Sequence, residues 1–379
     1  RRSNRQIESG NASASMLNCE LRLFHSSGEW YDLIYSSLDS SRGPLMTRTI
    51  LLFLLCAYSA HASTATLTNR PGGPAWLSGW GQISSIPDGF TAWSSWLGRE
   101  PDIVVVWSNP ASTWKDFETG KANVGYNFTS AMKYLPKTTP IIHSYPMLPD
   151  EVSNRKCQNP TVWDQFAAGS FDSHYQAMAQ NMKTLIQDAG RDPSNTIIRL
   201  GWEMNGDWYA WSICNKVSQF KQSWARAVGI IKSVMPGVMI DFSPDVGFTA
   251  GRNYGSTAGV NLDGFLPTDS IYDVISLSHH DGLPFVTSDS TWQEHYAPPA
   301  SKRFIGLKEL VDTAAKHDKK FALSEWATQR SDCEGKWKTS PDPALFIRKT
   351  YEHISANKAR LAWHKYFSVG CTQLYGRQS

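Results

Sequence analysis

Two glutamates in this sequence have neighbours that suit a catalytic role. Glu203 lies in the stretch TIIRLGWEMNGDWYAW, residues 196–211, and Glu325 lies in the later stretch LSEW, residues 323–326. Each acid follows a short apolar run. Two carboxylic acids that flank one glycosidic bond are what glycoside hydrolysis requires, because one protonates the leaving oxygen while the other attacks the anomeric carbon or activates water. Both acids have aromatic neighbours, so their sequence surroundings leave open which of them is protonated.

Aromatic and amide side chains surround Glu203 along the chain. They are Trp202, Asn205, Trp208, Tyr209 and Trp211. Aromatic rings stack on the apolar faces of sugars, and amides bond sugar hydroxyls. We expect Trp208 and Trp211 to stack on sugar rather than pack in the core. Asn205 either caps the turn that follows or binds a substrate hydroxyl. The alternative for the whole stretch is ordinary core tryptophans beside a paired surface acid.

Eight short apolar runs are expected to be the strands that position these residues. They are 75–83, 102–108, 139–147, 196–204, 238–244, 273–281, 320–327 and 360–368. Near-continuous apolar runs indicate strands that are buried on both faces of a parallel sheet. Apolar residues at helical spacing lie between them and are assigned to core: Met178, Met182, Leu185 and Ile186; Val217, Phe220, Trp224, Val228 and Ile231; Leu307, Leu310, Val311 and Ala314; Ile347, Tyr351 and Ile354. This alternation predicts an α/β fold, a single (β/α)8 TIM barrel over residues 63–379.

The mouth of such a barrel is formed by the C-terminal ends of its strands. Only two glutamates stand at predicted strand ends, Glu203 on the fourth strand and Glu325 on the seventh, and these strands face each other across the mouth. Arg199, deeper in the fourth strand, is expected to orient a catalytic carboxylate from below. Further candidates for substrate contact at strand ends are His143, His279, His280, Trp326 and Trp363.

The segment RLGWEMNGDWYAW, residues 199–211, resembles the fourth-strand motif of glycoside hydrolase family 26, commonly R-x-x-H-E-M-N-G-x-W-x-x-W. LSEW resembles the seventh-strand nucleophile motif of that family. The resemblance implies a retaining hydrolase of β-linked polysaccharide, mannan-like or related, with Glu203 as acid/base, Glu325 as nucleophile and no cofactor. It also implies that Trp363 forms a floor for the bound sugar. Trp202 departs from the pattern, because the family commonly has His there.

Two other classes of barrel remain as alternatives. A metal-dependent hydrolase would use the run His279-His280-Asp281, with Glu294-His295 downstream. Adjacent histidines on one strand point to opposite sides, and the first strand lacks a His-x-His pair, so we expect no metal. A catalytically silent polysaccharide-binding barrel would keep the tryptophans but would not need both glutamates.

The start of the sequence has the pattern of an export signal. Residues 46–62 combine a basic start, an apolar run over 50–57 and the small-residue site Ala60-His61-Ala62. The run is too short to span a bilayer, so we expect secretion without a membrane anchor. The Ser-rich residues 1–45 are expected to be disordered and outside the fold. The chain has 37 Lys and Arg against 34 Asp and Glu, and this balance argues against nucleic acid as a partner. We expect a monomer that binds polysaccharide.

Four cysteines follow the signal: Cys157, Cys214, Cys333 and Cys371. An even number in an exported chain favours disulfides. Of the possible pairings, 157–214 and 333–371 alone join loops that are adjacent on the predicted barrel, so we predict these two.

Overall fold

The computed structural model describes residues 21–24, 30–33, 76–81, 88–108, 111–120, 128–159, 161–247, 261–282, 284–299, 304–328 and 340–367. The chain divides into two compact units, 1–57 and 58–379. In the first unit, β1 (Leu21–Phe24) and β2 (Trp30–Leu33) pair as an antiparallel hairpin. The expectation that residues 1–45 stand outside the fold stays a prediction, and the predicted signal 46–62 lies outside the described residues.

The second unit contains a closed barrel of eight parallel strands in the order β10-β3-β4-β5-β6-β7-β8-β9. The strands are β3 (Leu77–Gly81), β4 (Ile103–Trp107), β5 (Ile141–Tyr145), β6 (Thr196–Leu200), β7 (Met239–Phe242), β8 (Val274–Asp281), β9 (Lys320–Thr328) and β10 (Leu361–Phe367). Seven of the predicted apolar runs contain one of these strands, the run 320–327 ends one residue before β9 does, and the predicted (β/α)8 barrel is confirmed.

Helices lie between the strands. They are α1 (Asp88–Leu97), α2 (Trp114–Glu118), α3 (Phe128–Tyr134), α4 (Val162–Ala167), α5 (Asp172–Asp188), α6 (Val217–Val234), α7 (Leu262–Phe265), α8 (Asp289–Tyr296), α9 (Leu307–Lys316) and α10 (Pro343–Ala356). Short 3₁₀ helices cover Asp150–Val152, Arg155–Cys157 and Pro193–Asn195. Within the described parts of the chain, no helix is long and apolar enough to cross a bilayer.

The apolar stripe predicted for α10 is partly wrong. Ile347 and Tyr351 are 41% and 55% exposed, whereas Phe346 and Ile354 are fully buried. The inward face of α10 starts one residue earlier than the spacing of Ile347, Tyr351 and Ile354 suggested. This shift is an error of roughly a quarter of a turn, because neighbouring residues on a helix differ by about 100° in direction.

The buried residues form two clusters, one on each side of the barrel wall. The outer cluster packs strands against helices and includes Ile198 and Leu200 of β6. The smaller inner cluster fills the barrel and includes Ile197. Alternate residues of a strand face opposite sides, so Arg199 shares the inner face with Ile197. Arg199 is completely buried, and it marks the level at which the interior changes from apolar to polar.

Three register shifts interrupt the regular pairing of β9 with its two neighbours. One lies between Ser276 and Ser278 in the β8–β9 pair. Two more lie between Leu361 and Trp363 and between His364 and Tyr366 in the β10–β9 pair. A bulge changes which residues face inward beyond it. The inward pattern of β8, β9 and β10 therefore changes at the level where Glu325 stands.

Candidate active site

Glu203 stands in a tight turn just above β6, and not on the strand itself, because β6 ends at Leu200. Gly201 and Glu203 both have left-handed backbone angles, with φ of +59° and +54°. Such an angle is easy for glycine but strained for glutamate. The amide of Glu203 donates to the carbonyl of Ser243 at 2.8 Å, which extends the pairing of β6 with β7 past the last strand residue. The turn thereby aims a carboxylate into the mouth.

The residues after Glu203 hold this turn in place. Trp208 folds over Gly206, where a Cβ atom would lie 2.3 Å from the indole, and its Nε1 donates to Oε2 of Glu203 at 3.0 Å. Asn205 donates from Nδ2 to the carbonyl of Asp245 at 2.7 Å, and the amide of Asp245 donates back to Oδ1 of Asn205 at 2.8 Å. Asn205 thus joins two loops through its amide, a role different from the turn cap or substrate contact expected for it, while half-buried Trp208 stays at the mouth.

The carboxylate of Glu325 is held by a buried arginine, Arg199. Nη1 of Arg199 donates to Oε2 of Glu325 at 2.9 Å. The same guanidinium donates from Nε to Oγ of Ser243 at 2.8 Å and from Nη2 to Oγ of Ser278 at 2.6 Å. The two serines hold the fork rigid below the acid. On the other side, Nε2 of His280 lies 3.4 Å from Oε1 of Glu325.

The surroundings separate the two acids in pKa. Burial raises the pKa of Glu203 to about 7, the negative charges of Glu325 and Asp245 add to the rise, and Arg199 opposes it. Burial also acts to raise the pKa of Glu325, but the hydrogen bond from His280 and the positive charges of Lys365 and Arg199 outweigh it and hold that pKa below its usual range. Near neutral pH, Glu203 therefore retains a proton when Glu325 is ionised.

The acids are also close in space. One carboxylate oxygen of Glu203, one of Glu325 and one ring nitrogen of His280 all lie within 4.8 Å of one another. By donor type these three groups are capable of holding a metal ion. Their environment opposes it, because Oε2 of Glu325 already accepts from Arg199, and Lys365 adds a second positive charge nearby. The electrostatics favour proton chemistry over a divalent cation.

Trp202 and Trp211 form a wall behind Glu203 together with Tyr209. Nε1 of Trp202 donates to the hydroxyl of Tyr209 at 3.0 Å, and Nε1 of Trp211 donates to the carbonyl of Trp202 at 2.8 Å. The rings of Tyr209 and Trp211 stack 4.5 Å apart. Trp211 is completely buried and Trp202 is 3% exposed. The expectation that Trp211 stacks on sugar is wrong, because its ring packs against other side chains of the protein.

The predicted histidines divide into one at the mouth and two outside it. His143 is fully buried, stacks on Phe128 at 3.9 Å and hydrogen-bonds Ser108 at 2.6 Å; burial lowers its pKa to about 3. His279 is also fully buried and contacts His295 at 3.2 Å. Neither reaches a substrate in this conformation, which corrects both expectations. His280 points the opposite way from His279, towards Glu325, as the alternation of a strand predicts.

Trp326 and Trp363 are likewise packed against protein. Trp326 is 5% exposed, and its indole lies against Phe346 of α10 and donates to Nδ1 of His364 at 3.3 Å. Trp363 is 1% exposed inside the barrel and donates to Oγ of Ser324 at 3.0 Å. The expected floor residue therefore lies within the interior packing, below the level of the acids, and its indole offers no free face.

Three residues at the mouth are absent from the predicted binding set. Half-buried Trp107 and Phe367 meet edge to face, with ring centroids 5.1 Å apart. Nζ of Lys365 lies 3.9 Å from the centroid of Trp107 and 4.5 Å from that of Phe367. One signal in the sequence was a lysine within the otherwise apolar and aromatic run of the eighth strand.

The loop that carries Trp208 is tied to the loop after β5. The predicted disulfide Cys157–Cys214 is formed. Close to it, Nη1 of Arg155 donates to the carbonyl of Trp208 at 3.2 Å, and the amide of Asn154 donates to the carbonyl of Ala210 at 2.8 Å. The second predicted pair, Cys333 with Cys371, lies outside the described residues.

Fold and site together define a (β/α)8 barrel whose mouth holds two carboxyl groups with oppositely shifted pKa values. No family model matches the chain, and no curated protein matches it. Solved structures do. The modular endo-β-1,4-mannanase from Cellulomonas fimi, described as a glycoside hydrolase family 26 mannanase, is 18% identical over 82% of this chain and 69% of its own, with a TM-score of 0.57.

Two further solved structures show the same likeness. The catalytic domain of a family 26 endo-β-1,4-mannanase from a Bacillus species is 16% identical over 82% of each chain, with a TM-score of 0.55. A Bacillus subtilis mannanase is 16% identical over 81% of this chain and 84% of its own, with a TM-score of 0.52. At these identities the comparison establishes the fold, which agrees with the fold implied by the two sequence motifs.

Proposed function

We propose that the protein is a secreted retaining glycoside hydrolase that cleaves a β-linked polysaccharide, with Glu203 as acid/base and Glu325 as nucleophile. The observation that carries the proposal is the buried pair itself, two carboxyl groups at one mouth with oppositely shifted pKa values. The separation supports retention, because oxygens within 4.8 Å are closer to the spacing of about 5–5.5 Å in retaining enzymes than to about 6.5–9.5 Å in inverting ones.

The reaction would proceed in two displacements. In the first, protonated Glu203 gives its proton to the glycosidic oxygen as the leaving sugar departs, and a carboxylate oxygen of Glu325 bonds to the anomeric carbon. In the second, Glu203 removes a proton from water, which attacks the same carbon and breaks the bond to Glu325. The sugar leaves with its configuration retained, and Glu203 has regained its proton. No cofactor is required.

The substrate class rests on the motifs and on the neighbours, whose names describe endo-β-1,4-mannanases. The site differs from the family pattern at Trp202, whose Nε1 is engaged by Tyr209 and whose ring is 3% exposed. It therefore offers no hydrogen bond to a sugar hydroxyl where the family commonly has a histidine. We propose that the substrate is a mannan-like or related β-glycan. At the position of Trp202 the protein would recognise the sugar by its shape and not through a hydrogen bond.

The decisive experiment is a reducing-sugar assay on mannan, xylan, mixed-linkage glucan and bacterial exopolysaccharide, with Glu203→Ala and Glu325→Ala as paired variants. We expect hydrolysis of at least one glycan, loss of turnover with retained binding in Glu325→Ala, and a first product of unchanged anomeric configuration by NMR. Full activity in Glu325→Ala would overturn the assignment. Binding without turnover in the wild type would indicate a silent binding barrel, and inactivation by a chelator would indicate a metal-dependent enzyme.

Export is part of the same proposal. Cleavage of the signal after Ala62 would release a chain beginning at Ser63. N-terminal sequencing of protein recovered from the medium of an expressing host tests this, and retention of residues 46–62 in that material would contradict it.

A further inference from the structure

Lys365 is a buried cation in an unusual setting. It lies on β10 inside the barrel and is completely buried. Its Nζ has no hydrogen-bond partner among the residues that the structure describes. A buried ammonium without an acceptor is costly, so such a group is retained where it serves a purpose beyond packing.

The barrel makes room for this side chain. Gly81 on the neighbouring strand β3 has no side chain, and a Cβ atom there would lie 3.0 Å from Cδ of Lys365 and 2.9 Å from the ring of Trp107. Lys365 passes over this glycine and places Nζ 3.9 Å from the Trp107 centroid and 4.5 Å from that of Phe367. Two aromatic faces therefore replace the missing acceptor.

Contacts connect this cation to Glu325. The ring of Phe367 lies 5.7 Å from the ring of His280, and Nε2 of His280 lies 3.4 Å from Oε1 of Glu325. β10 also pairs directly with β9, where Tyr366 is the register partner of Trp326, the residue after Glu325. The cation and the acid thus stand on adjacent strands at the same level of the barrel. Since Lys365 is completely buried, any influence on a substrate is indirect.

We propose, on the basis of the function above, that Lys365 is a positioning residue for Glu325: its ammonium, bound on the faces of Trp107 and Phe367, keeps the nucleophile ionised without donating a hydrogen bond to it. A direct hydrogen bond from an ammonium would stabilise the carboxylate at the oxygen that has to attack. A charge held nearby stabilises the ionised form through space and leaves the oxygen available, because Coulomb interactions act over several ångströms in a buried site.

The other charged groups around Glu325 act beside Lys365. Arg199 reaches it from β6, His280 from β8, and Glu203 from the turn above β6. Arg199 is fixed by Ser243 and Ser278, so it cannot move to replace a lost charge. The positive charge of Lys365 is among the causes that hold the pKa of Glu325 low against burial. Burial in turn lowers the pKa of Lys365 itself, and Glu325 partly offsets that effect.

The test removes the charge and keeps the shape. Lys365→Met and Lys365→Gln are compared with wild type by NMR titration of ¹³C-labelled glutamate side chains, with the Glu325 signal assigned from Glu325→Gln. We expect the midpoint of Glu325 to move to higher pH by roughly one unit or more. The acidic limb of kcat/KM should move with it, kcat should fall, and KM should change little. Lys365→Arg should restore the titration.

Lys319→Met is the matched control. Lys319 also lies over an aromatic ring, 5.0 Å from the centroid of Tyr272, but it immediately precedes β9, at the end of that strand opposite to Glu325. It should leave the Glu325 titration unchanged. Lys365→Met should be at least as thermostable as wild type, because it removes an unpaired buried charge.

Two results would overturn the proposal: an unchanged Glu325 midpoint in both neutral variants, or a change of equal size in Lys319→Met. The NMR readout does not depend on turnover. If the wild type hydrolyses no glycan, the proposed function is wrong. The NMR titration still shows whether Lys365 affects the pKa of Glu325.

Discussion

Arg199 and Glu325 form an ion pair inside the barrel, with 2.9 Å between Nη1 and Oε2. The two residues are 126 positions apart and belong to strands that do not pair with each other. The guanidinium is completely buried and the carboxylate is 6% exposed. Their alignment depends on barrel closure, because only a closed barrel brings the inner faces of β6 and β9 together.

Breaking this pair should damage both stability and activity. Arg199→Met leaves the Glu325 carboxylate buried without its cation, so we expect the free energy of unfolding at pH 7 to fall by roughly 3–5 kcal/mol. Urea denaturation measures it. The double variant Arg199→Met/Glu325→Gln should recover part of the loss, because no charge is then left unpaired. A single variant as stable as the double one would contradict this account.

Activity should fall as pH rises through about 7. Burial and the charge of Glu325 raise the pKa of Glu203 to about 7, and the first displacement needs its protonated form. Increasing pH therefore removes the acid. The pH profile of kcat/KM on polysaccharide measures this limb. Glu203→Ala should lose the limb on an aryl glycoside whose leaving group needs no proton. If the basic limb persists in this variant, it arises from the titration of another residue.

Trp208 should tune the acid through its indole N–H, which donates to Oε2 of Glu203. This bond favours the ionised form, so Trp208→Phe should raise the pKa of Glu203 and move the basic limb upward by roughly half a unit to one unit. Trp96→Phe is the control, since Trp96 is 74% exposed on α1. An identical limb in the two variants would mean that the bond has no effect on Glu203.

Reduction of Cys157–Cys214 should loosen the mouth before it unfolds the barrel. The disulfide closes a loop of 57 residues, for which chain entropy predicts a stability loss of about 4 kcal/mol. The double variant Cys157→Ser/Cys214→Ser should lower Tm, and kcat more than KM, because the loop that it frees carries Trp208. Dithiothreitol should reproduce both effects in the wild type. If the double variant has the kcat of the wild type, the disulfide does not influence the site.

The sequence was sufficient to predict the barrel because the signal is spread over many residues. Each strand is a run of apolar side chains buried on both faces, and one ambiguous residue does not obscure the run. The two acids could also be predicted from the sequence, because few glutamates in this chain stand at the ends of predicted strands. The backbone at the end of β6 could not be predicted. The sequence places Glu203 at the tip of a strand, whereas its left-handed backbone angle depends on the hydrogen bond from its amide to the carbonyl of Ser243.

The direction of individual side chains was beyond the sequence. Trp211, Trp326 and Trp363 look equally suited to sugar, yet tertiary packing buries all three. The register shifts along β8, β9 and β10 change the inward pattern, so alternation counted from the lower part of a strand fails near the mouth. Lys365 was missed for a related reason, because nothing near it in the sequence indicates the gap that Gly81 leaves on the next strand.

The reciprocal bonds between Asn205 and Asp245 have a consequence for redesign of the protein. Together with the bond from Glu203 to Ser243, they continue the ladder of β6 and β7 beyond the last residue of either strand. The turn that carries the acid is thus mechanically part of the barrel. A graft intended to change substrate range should transplant residues 201–214 and 243–247 as one cassette, since either piece alone would present unmatched hydrogen-bonding groups to its neighbour.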